Sequence, residues 1–261
     1  MGWRIVVATI TCNMHTYSHL CGESISDNIS ADDVSVLLVN DTSVKSWNDI
    51  SSMYDHVIIS GHMLGTASAR NLICKYALEH NLGDIILWID DDIEVCPQFA
   101  EPFRKAFDEP DVVIAGYDAV FIKEDFTDQW YVDPFVSDFD YFDSPYAIRL
   151  SFLSQYGLYD ENFITVGDNT GLCLRAAKLG FQLKPIKNPG IKHYRHKTIG
   201  NLENRTKGWE IAVKRLQSLF PPGWRKAYGL EKKVTINPDL QFPIERGRIG
   251  GPESIIGGKH E

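Results

Sequence analysis

The chain has 261 residues, 44% of them hydrophobic and 23% charged, with a formal net charge of −9. That balance belongs to a globular protein able to bury a core. It excludes a membrane-spanning chain, since no apolar run approaches the ~18–20 residues that a span requires. Five scattered cysteines with no Cys-x-x-Cys exclude a disulfide framework and a thiolate zinc site. Free thiols in a reducing compartment are expected. Ile5–Ile10 is too short for a signal sequence, so a soluble cytoplasmic protein is expected as well.

The charge is divided along the chain. Residues 1–169 hold 8 Lys+Arg and 28 Asp+Glu, whereas residues 170–261 hold 18 and 7. An acidic first part followed by a basic last part suits a cation-binding site facing an anionic ligand. Attraction between two halves of one domain would also account for it.

In chain order, Arg4–Ile10 predicts a first strand, with Thr9 near its C-terminal edge. Residues 15–32 are polar and lack a period, and an irregular segment is expected. Val34–Val39 is a second buried strand, and Asn40-Asp41-Thr42-Ser43 supplies turn residues after it. His56–Ser60 is a third strand and Gly61–Gly65 a loop. Thr66 then begins a helix to about Asn81, with Ala69, Leu72, Ile73, Tyr76 and Ala77 at helical spacing. Ile85–Ile89 is an apolar, β-branched run that ends in Asp90-Asp91-Asp92.

Three adjacent carboxylates at the C-terminal end of a buried strand repel one another. Such an edge is also where open α/β sheets bind ligands. A hard divalent cation, Mg²⁺ or Mn²⁺, would offset the repulsion and could be shared with a phosphate. A solvated acidic turn would be the plainer explanation, and the rest of the chain has to decide.

Pro97 predicts a helix to about Phe107, and Asp111–Gly116 another strand. Strands alternating with helices indicate an α/β sheet, mixed but mostly parallel and covered on both faces. Residues 117–145 interrupt the alternation, with eight aromatic side chains, Phe121 to Phe142, among many acids. A long loop of this kind is functional or a covering flap. Ala147–Leu153 reads as a strand and Gly157–Phe163 as a turn. Gly167 to Leu179 reads as a helix capped by Asp168 or Thr170, followed by a strand at Gln182–Lys187. Glu203–Phe220 is amphipathic, with Trp209, Ala212, Val213, Leu216 and Phe220 facing inward. The division expected is a nucleotide-sugar-binding and catalytic body, 1–200, with a basic helical extension, 201–261, packed on the same domain.

The order of these motifs resembles family-2-like glycosyltransferases of the GT-A fold over roughly residues 3–197. Val36–Ser43 is similar to their nucleotide-contacting strand and turn, which places Asp41 at the nucleotide. Gly65 through Arg70-Asn71 is similar to their Gly…Ala-Arg-Asn element near the base and phosphates. Ile89–Asp92 resembles their Asp-x-Asp, and Gly157–Phe163 their acceptor-side Gly-Gly-Phe-Asp-Glu-x-Phe. Leu172–Arg175 resembles the end of Glu-Asp-x-Asp-Leu-x-x-Arg, and His193 stands where many members complete the metal–diphosphate site.

The resemblance implies a metal-dependent transfer of a sugar from a nucleotide sugar, a UDP-sugar by expectation, to a hydroxyl. It assigns Asp90, Asp92 and His193 to Mn²⁺ or Mg²⁺. Thr9, Asp41, Arg70, Asp90, Asp91, Lys192 and His196 are assigned to the donor. One departure matters: by strict spacing the family's catalytic base falls on Asn169, and an amide cannot accept the proton. Asp168 is the expected base after a one-residue shift, and a base-free retaining route is the alternative.

A nucleotidyltransferase needs a Gly-rich, Arg-containing loop after the first strand, and Thr11–His15 is not one. A non-catalytic sugar- or nucleic-acid-binding module remains the third possibility. The basic C-terminal part, with Tyr194, Trp209, Trp224 and Tyr228 among its cations, suggests DNA as acceptor, and a glycan or small-molecule acceptor is the alternative. The comparison is with phage enzymes that glycosylate hydroxymethylated pyrimidines.

Overall fold

A computed structural model describes residues 2–12, 16–40, 48–194 and 202–232. Asp41 and His196 lie outside them, as does everything after Lys232. The body is a seven-stranded sheet. Its strands are β1 (Ile5–Thr11), β2 (Val34–Val39), β3 (His56–Ile59), β4 (Ile85–Trp88), β6 (Val112–Gly116), β10 (Tyr146–Arg149) and β11 (Gln182–Pro185). Their order across the sheet is β11-β6-β10-β4-β1-β2-β3. β1, β2, β3 and β4 run parallel, as do β6 and β11, whereas β10 is antiparallel to both of its neighbours. The sheet is therefore mixed and mostly parallel, as expected.

The runs of consecutive apolar residues follow from cover on both faces. Val6, Ala8, Val36, Leu38, Ile86 and Trp88 enter one core. Ile5, Val7, Leu37, Val39, Ile85 and Leu87 enter the other. The strand period of two thus feeds two cores from one sheet. The first core is closed by α3 (Thr66–Glu79), α5 (Leu150–Tyr156), α6 (Asp168–Lys178) and α7 (Leu202–Leu219). The second is closed by α1 (Thr16–Asn28), α2 (Asn48–Ser51) and α4 (Glu101–Ala106). Ala212 and Leu216 of α7, then Phe220 and Trp224, join the first core, so the C-terminal extension and the body share a core. Among the described residues no helix is long and apolar enough to cross a membrane.

Four local expectations are corrected. Residues 16–28 are a helix, α1. Its buried face is small or polar except for Ile25 (Ser18, Cys21, Gly22), so sequence periodicity was faint. Packing supplies what propensity does not. Residues 147–153 divide into the end of β10 and the start of α5, because Leu150, Phe152 and Leu153 are buried at helical spacing. The helix expected from Pro97 begins at Glu101, with Pro102 in its first turn.

The segment 117–145 is no open loop. β7 (Ala119–Ile122), β8 (Gln129–Tyr131) and β9 (Tyr141–Phe142) form a small antiparallel sheet, with β7 central. Phe126, Tyr141 and Phe142 are buried there, whereas Phe135 is 56% exposed. The two remaining strands, β5 (Ile93–Glu94) and β12 (Lys192–His193), pair antiparallel beyond the end of β4.

Candidate active site

β4 delivers the aspartates. Ile85–Trp88 are buried and extended, and Asp90, Asp91 and Asp92 follow where the strand leaves the sheet. β5 then turns antiparallel to β12, with His193 opposite Ile93, and the Tyr194 N–H donates to the Asp92 carbonyl at 2.8 Å. This register carries His193 to the aspartates across about a hundred residues of chain. Its Nε2 lies 3.2 Å from Asp92 Oδ1. Ligand atoms of Asp90, Asp92 and His193 all fall within 4.8 Å of one another.

The local field is strongly negative. Burial pushes Asp90 up to about 6; His193 and Arg70 pull against that shift, and Asp143 and Asp92 add to it. Burial alone would lower His193, but Asp92, Asp90 and Asp143 outweigh it and raise the imidazole above its usual value. His193 Nδ1 is buried with no hydrogen-bond partner among the described residues. Two carboxylates, an imidazole and an unsatisfied ring nitrogen fit a hard or borderline divalent cation.

The middle aspartate is engaged elsewhere. Asp91 is 7% exposed, and its Oδ2 accepts from Thr11 Oγ1 at 2.7 Å and Ser18 Oγ at 3.2 Å. It ties β4 to the end of β1 and to the first turn of α1. Thr9, expected at the nucleotide, is 1% exposed, with its hydroxyl near Cys21 and Tyr54 in the core beneath α1. Lys192 is exposed and donates to Glu94 at 3.0 Å; Tyr194 holds the other Glu94 oxygen at 2.6 Å.

Arg70 and Asp168 meet each other. Arg70 Nη1 lies 2.8 Å from Asp168 Oδ2 and 2.5 Å from the Tyr146 hydroxyl. The guanidinium sits 5.4–5.6 Å from the ring centres of Trp88, Tyr146 and Tyr159. Burial alone would lower Arg70, but Asp168 and the two tyrosines outweigh it and hold it protonated. Asp168 is only 3% exposed. The Ala-Arg-Asn element is thus scaffolding: Asn71 clamps Tyr159 through both backbone groups, each at 2.9 Å.

Gly65 completes that clamp. A Cβ there would lie 2.8 Å from the Ile164 carbonyl, which accepts from the Thr66 N–H at 2.7 Å. α6 begins at Gly167, in the left-handed conformation and with no side-chain cap. Asp168, expected as a cap, is committed to Arg70 instead. Asn169 Nδ2 donates to the Phe142 carbonyl at 3.0 Å, which binds the start of α6 to the small sheet.

Sequence reasoning missed Asp143, which follows β9. Tyr131 donates to its Oδ2 at 2.7 Å and the Ser144 N–H to its Oδ1 at 3.0 Å. Its only sequence signal was one acid among many in an aromatic segment. Cys21, Cys74 and Cys173 are free and buried, with thiols pushed up to about 12 by burial, which disfavours the thiolate.

Comparison with known proteins agrees with this geometry. Residues 6–179, two thirds of the chain, match the model of glycosyl transferase family 2. No curated protein matches the sequence. Among solved structures, GalNAc-T7 with UDP, GalNAc and Mn²⁺ is similar at TM-score 0.60 and 15% identity, over 87% of this chain and 55% of that one. The mannosyltransferase PcManGT of Pyrobaculum calidifontis, in complex with GDP-Man and Mn²⁺, is similar at 0.57 and 14%, over 90% and 66%. TarS of S. aureus is similar at 0.58 and 14%, over 82% and 40%. The chain spans less than two thirds of the length of each. By its family match, its sheet order and the acidic cluster at the end of its central strand, the chain belongs to glycosyl transferase family 2 and has the GT-A fold.

Proposed function

We propose that the chain moves a sugar from a nucleotide-sugar donor, a UDP-sugar in the first instance, to a hydroxyl acceptor, with Mn²⁺ or Mg²⁺ held by Asp90, Asp92 and His193. The observation that carries this reading is the convergence of those three ligands at the end of β4. The nucleotide diphosphates and Mn²⁺ bound by GalNAc-T7 and PcManGT support it. When bound, the cation neutralises charge that builds on the leaving diphosphate.

The chain's own residues do the rest. β12 fixes His193 against Asp92, and Asp91 fixes the strand end against α1. The Arg70–Asp168 pair holds the wall formed by Trp88, Tyr146 and Tyr159.

For the acceptor, a glycan or small-molecule hydroxyl is better supported than a DNA base. Several cations that suggested DNA have partners within the chain: Lys184 with Glu109, Lys192 with Glu94, Arg215 with Asp160 and Arg225 with Asp140. Trp224 is 1% exposed and stacked on Phe126. A thermal-shift panel of nucleotide sugars with and without Mn²⁺ tests the donor, because a ligand that binds the folded state raises Tm by mass action. A Mn²⁺-dependent rise with one nucleotide class, followed by release of its diphosphate, is expected. No rise with any donor would overturn the proposal. Salt-sensitive binding to duplex carrying hydroxymethylcytosine would restore the DNA acceptor.

A further inference from the structure

Gly171, Arg175 and Lys178 recur at intervals of four and three along α6, so they share one face of that helix. Arg215 and Leu219, four apart on α7, share a face too. Together with the segment from Tyr159 to Phe163, these two faces line a cavity of about 380 Å³. Its inner surface is apolar: Phe163, Leu172 and Phe220 are at most 4% exposed. Gly171 allows this packing, because a Cβ there would lie 2.8 Å from the Phe163 ring. Of the lining residues only Tyr159 also belongs to the wall with Trp88 and Tyr146, and none is a ligand of the cation cluster. The cavity is therefore separate from the site at the end of β4.

Its mouth is cationic. Lys178 is exposed, and Arg175 and Arg215 are half-buried. One of the three charges is balanced, since Arg215 Nε lies 2.7 Å from Asp160 Oδ2. Arg175 Nη2 donates to the carbonyls of Gly157 and Leu158, which anchor the guanidinium but carry no charge. Its Nε is buried and has no hydrogen-bond partner among the described residues. Lys178 Nζ stands 4.5 Å from the centre of the Tyr228 ring and 5.8 Å from that of Phe220. Aromatic faces hold it there, with no carboxylate paired to it among the described residues. Burial lowers the Arg175 guanidinium from its usual value, although Tyr159 and Asp160 oppose the shift. Two positive charges are thus left over around an apolar cavity whose size falls within the roughly 300–1,000 Å³ of small-molecule sites.

We propose that this cavity binds a small organic anion, with its apolar body against Phe163, Leu172 and Phe220 and a phosphate or carboxylate head at Arg175 and Lys178. The backbone carbonyls fix Arg175 before any ligand arrives, so its other N–H groups meet the head with little further ordering. Lys178, on a flexible stem, adds a point charge from the exposed side. The Asp160–Arg215 pair joins the two helix faces and keeps the cavity open between them.

The test titrates phenyl phosphate into the full chain by calorimetry, in EDTA so that no cation at Asp90 and Asp92 can recruit it. Phenylacetate carries the other head group, inorganic phosphate lacks the body and benzyl alcohol lacks the charge. Phenyl phosphate or phenylacetate should bind wild type about tenfold or more tightly than inorganic phosphate or benzyl alcohol, and the tighter of the two identifies the head. Lys178→Glu, at an exposed position, should weaken that binding about tenfold or more at an unchanged Tm. Arg175→Gln should weaken it at least as much. Lys105→Glu, the same charge change on α4 across the sheet, should leave it unaltered, as should Asp90→Asn/Asp92→Asn. No binding of either organic anion at millimolar concentration would overturn the proposal. So would full-strength binding to Lys178→Glu, an equal loss in Lys105→Glu, or loss in Asp90→Asn/Asp92→Asn, which would place the anion at the cation cluster instead.

Discussion

Asp140 and the pair Asp90/Asp92 are buried or half-buried carboxylates near the ends of strands, and the protein treats them in opposite ways. Asp140 receives Arg225 on both oxygens, at 2.7 and 2.8 Å, and the Ile122 N–H at 2.8 Å. Asp168 likewise has Arg70. Asp90 and Asp92 face His193, together with more negative charge from Asp143. Where a guanidinium is built in, the carboxylate fastens segments that are distant in sequence. Where the positive charge must come from solution, the carboxylate is available to bind. Local charge balance therefore separates scaffold from site better than residue type does.

The sharpest way to break that contrast is Asp90→Asn/Asp92→Asn. Losing several kcal/mol of charge stabilisation in the transition state should cut kcat by about 10³-fold or more. The fold should survive, because the variant removes repulsion and His193, without the charges that raise it, can stay neutral. Circular dichroism and kcat measured together check both halves; turnover at the wild-type rate in EDTA would show that the cluster does not act through a metal.

Asp140→Ala should do the reverse. It strands the Arg225 guanidinium, 8% exposed, and should cost about 3–5 kcal/mol in urea denaturation. Whatever protein stays folded should bind Mn²⁺ normally.

Smaller effects sharpen the picture. Mn²⁺ at about a hundred times its Kd should stabilise wild type by about 2.7 kcal/mol and the Asp90→Asn/Asp92→Asn variant by nothing. The resulting shift in Tm is the readout. The smallest effect belongs to a surface pair. Burial resists ionisation of Asp160, but the Asn162 N–H and Arg215 outweigh it and hold its carboxyl below the usual carboxylate value. A depressed acid stabilises the fold above its unfolded pKa, and that contribution is lost as pH falls through the lower folded value. Wild type should therefore lose about 1 kcal/mol or less on acidification below pH ~4, after discounting for solvent exposure. Arg215→Met should flatten that part of the pH–stability curve.

How far the sequence could be read follows the same division. β1, β2 and β4 were visible because two covered faces demand unbroken apolar runs, and α7 because its inward stripe is large and regular. α1 was hidden because much of its buried face is serine, cysteine and glycine. The direction of β10 and the small sheet of β7, β8 and β9 were hidden because pairing is settled by tertiary contacts. The convergence of Asp90, Asp92 and His193 could be anticipated from motif order. Which aspartate does what could not: Asp91 is diverted to Thr11 and Ser18, and Asp168 is consumed by an arginine 98 positions away.

The short pairing of β12 with β5 has a consequence in polymer terms. Asp92 and His193 are about a hundred residues apart, so a cation held by both closes a loop of that length, and cross-linking a loop of this size removes unfolded-chain entropy worth about 4–5 kcal/mol when the link is covalent. A reversible link gives less, and only while the ion stays bound to both ends. The ion would then act as a removable clasp between the first sheet strands and the segment after β11. Chelation would loosen the chain across that whole span as well as emptying a site, and amide hydrogen exchange in β5 and β12 is where the loosening would first be seen.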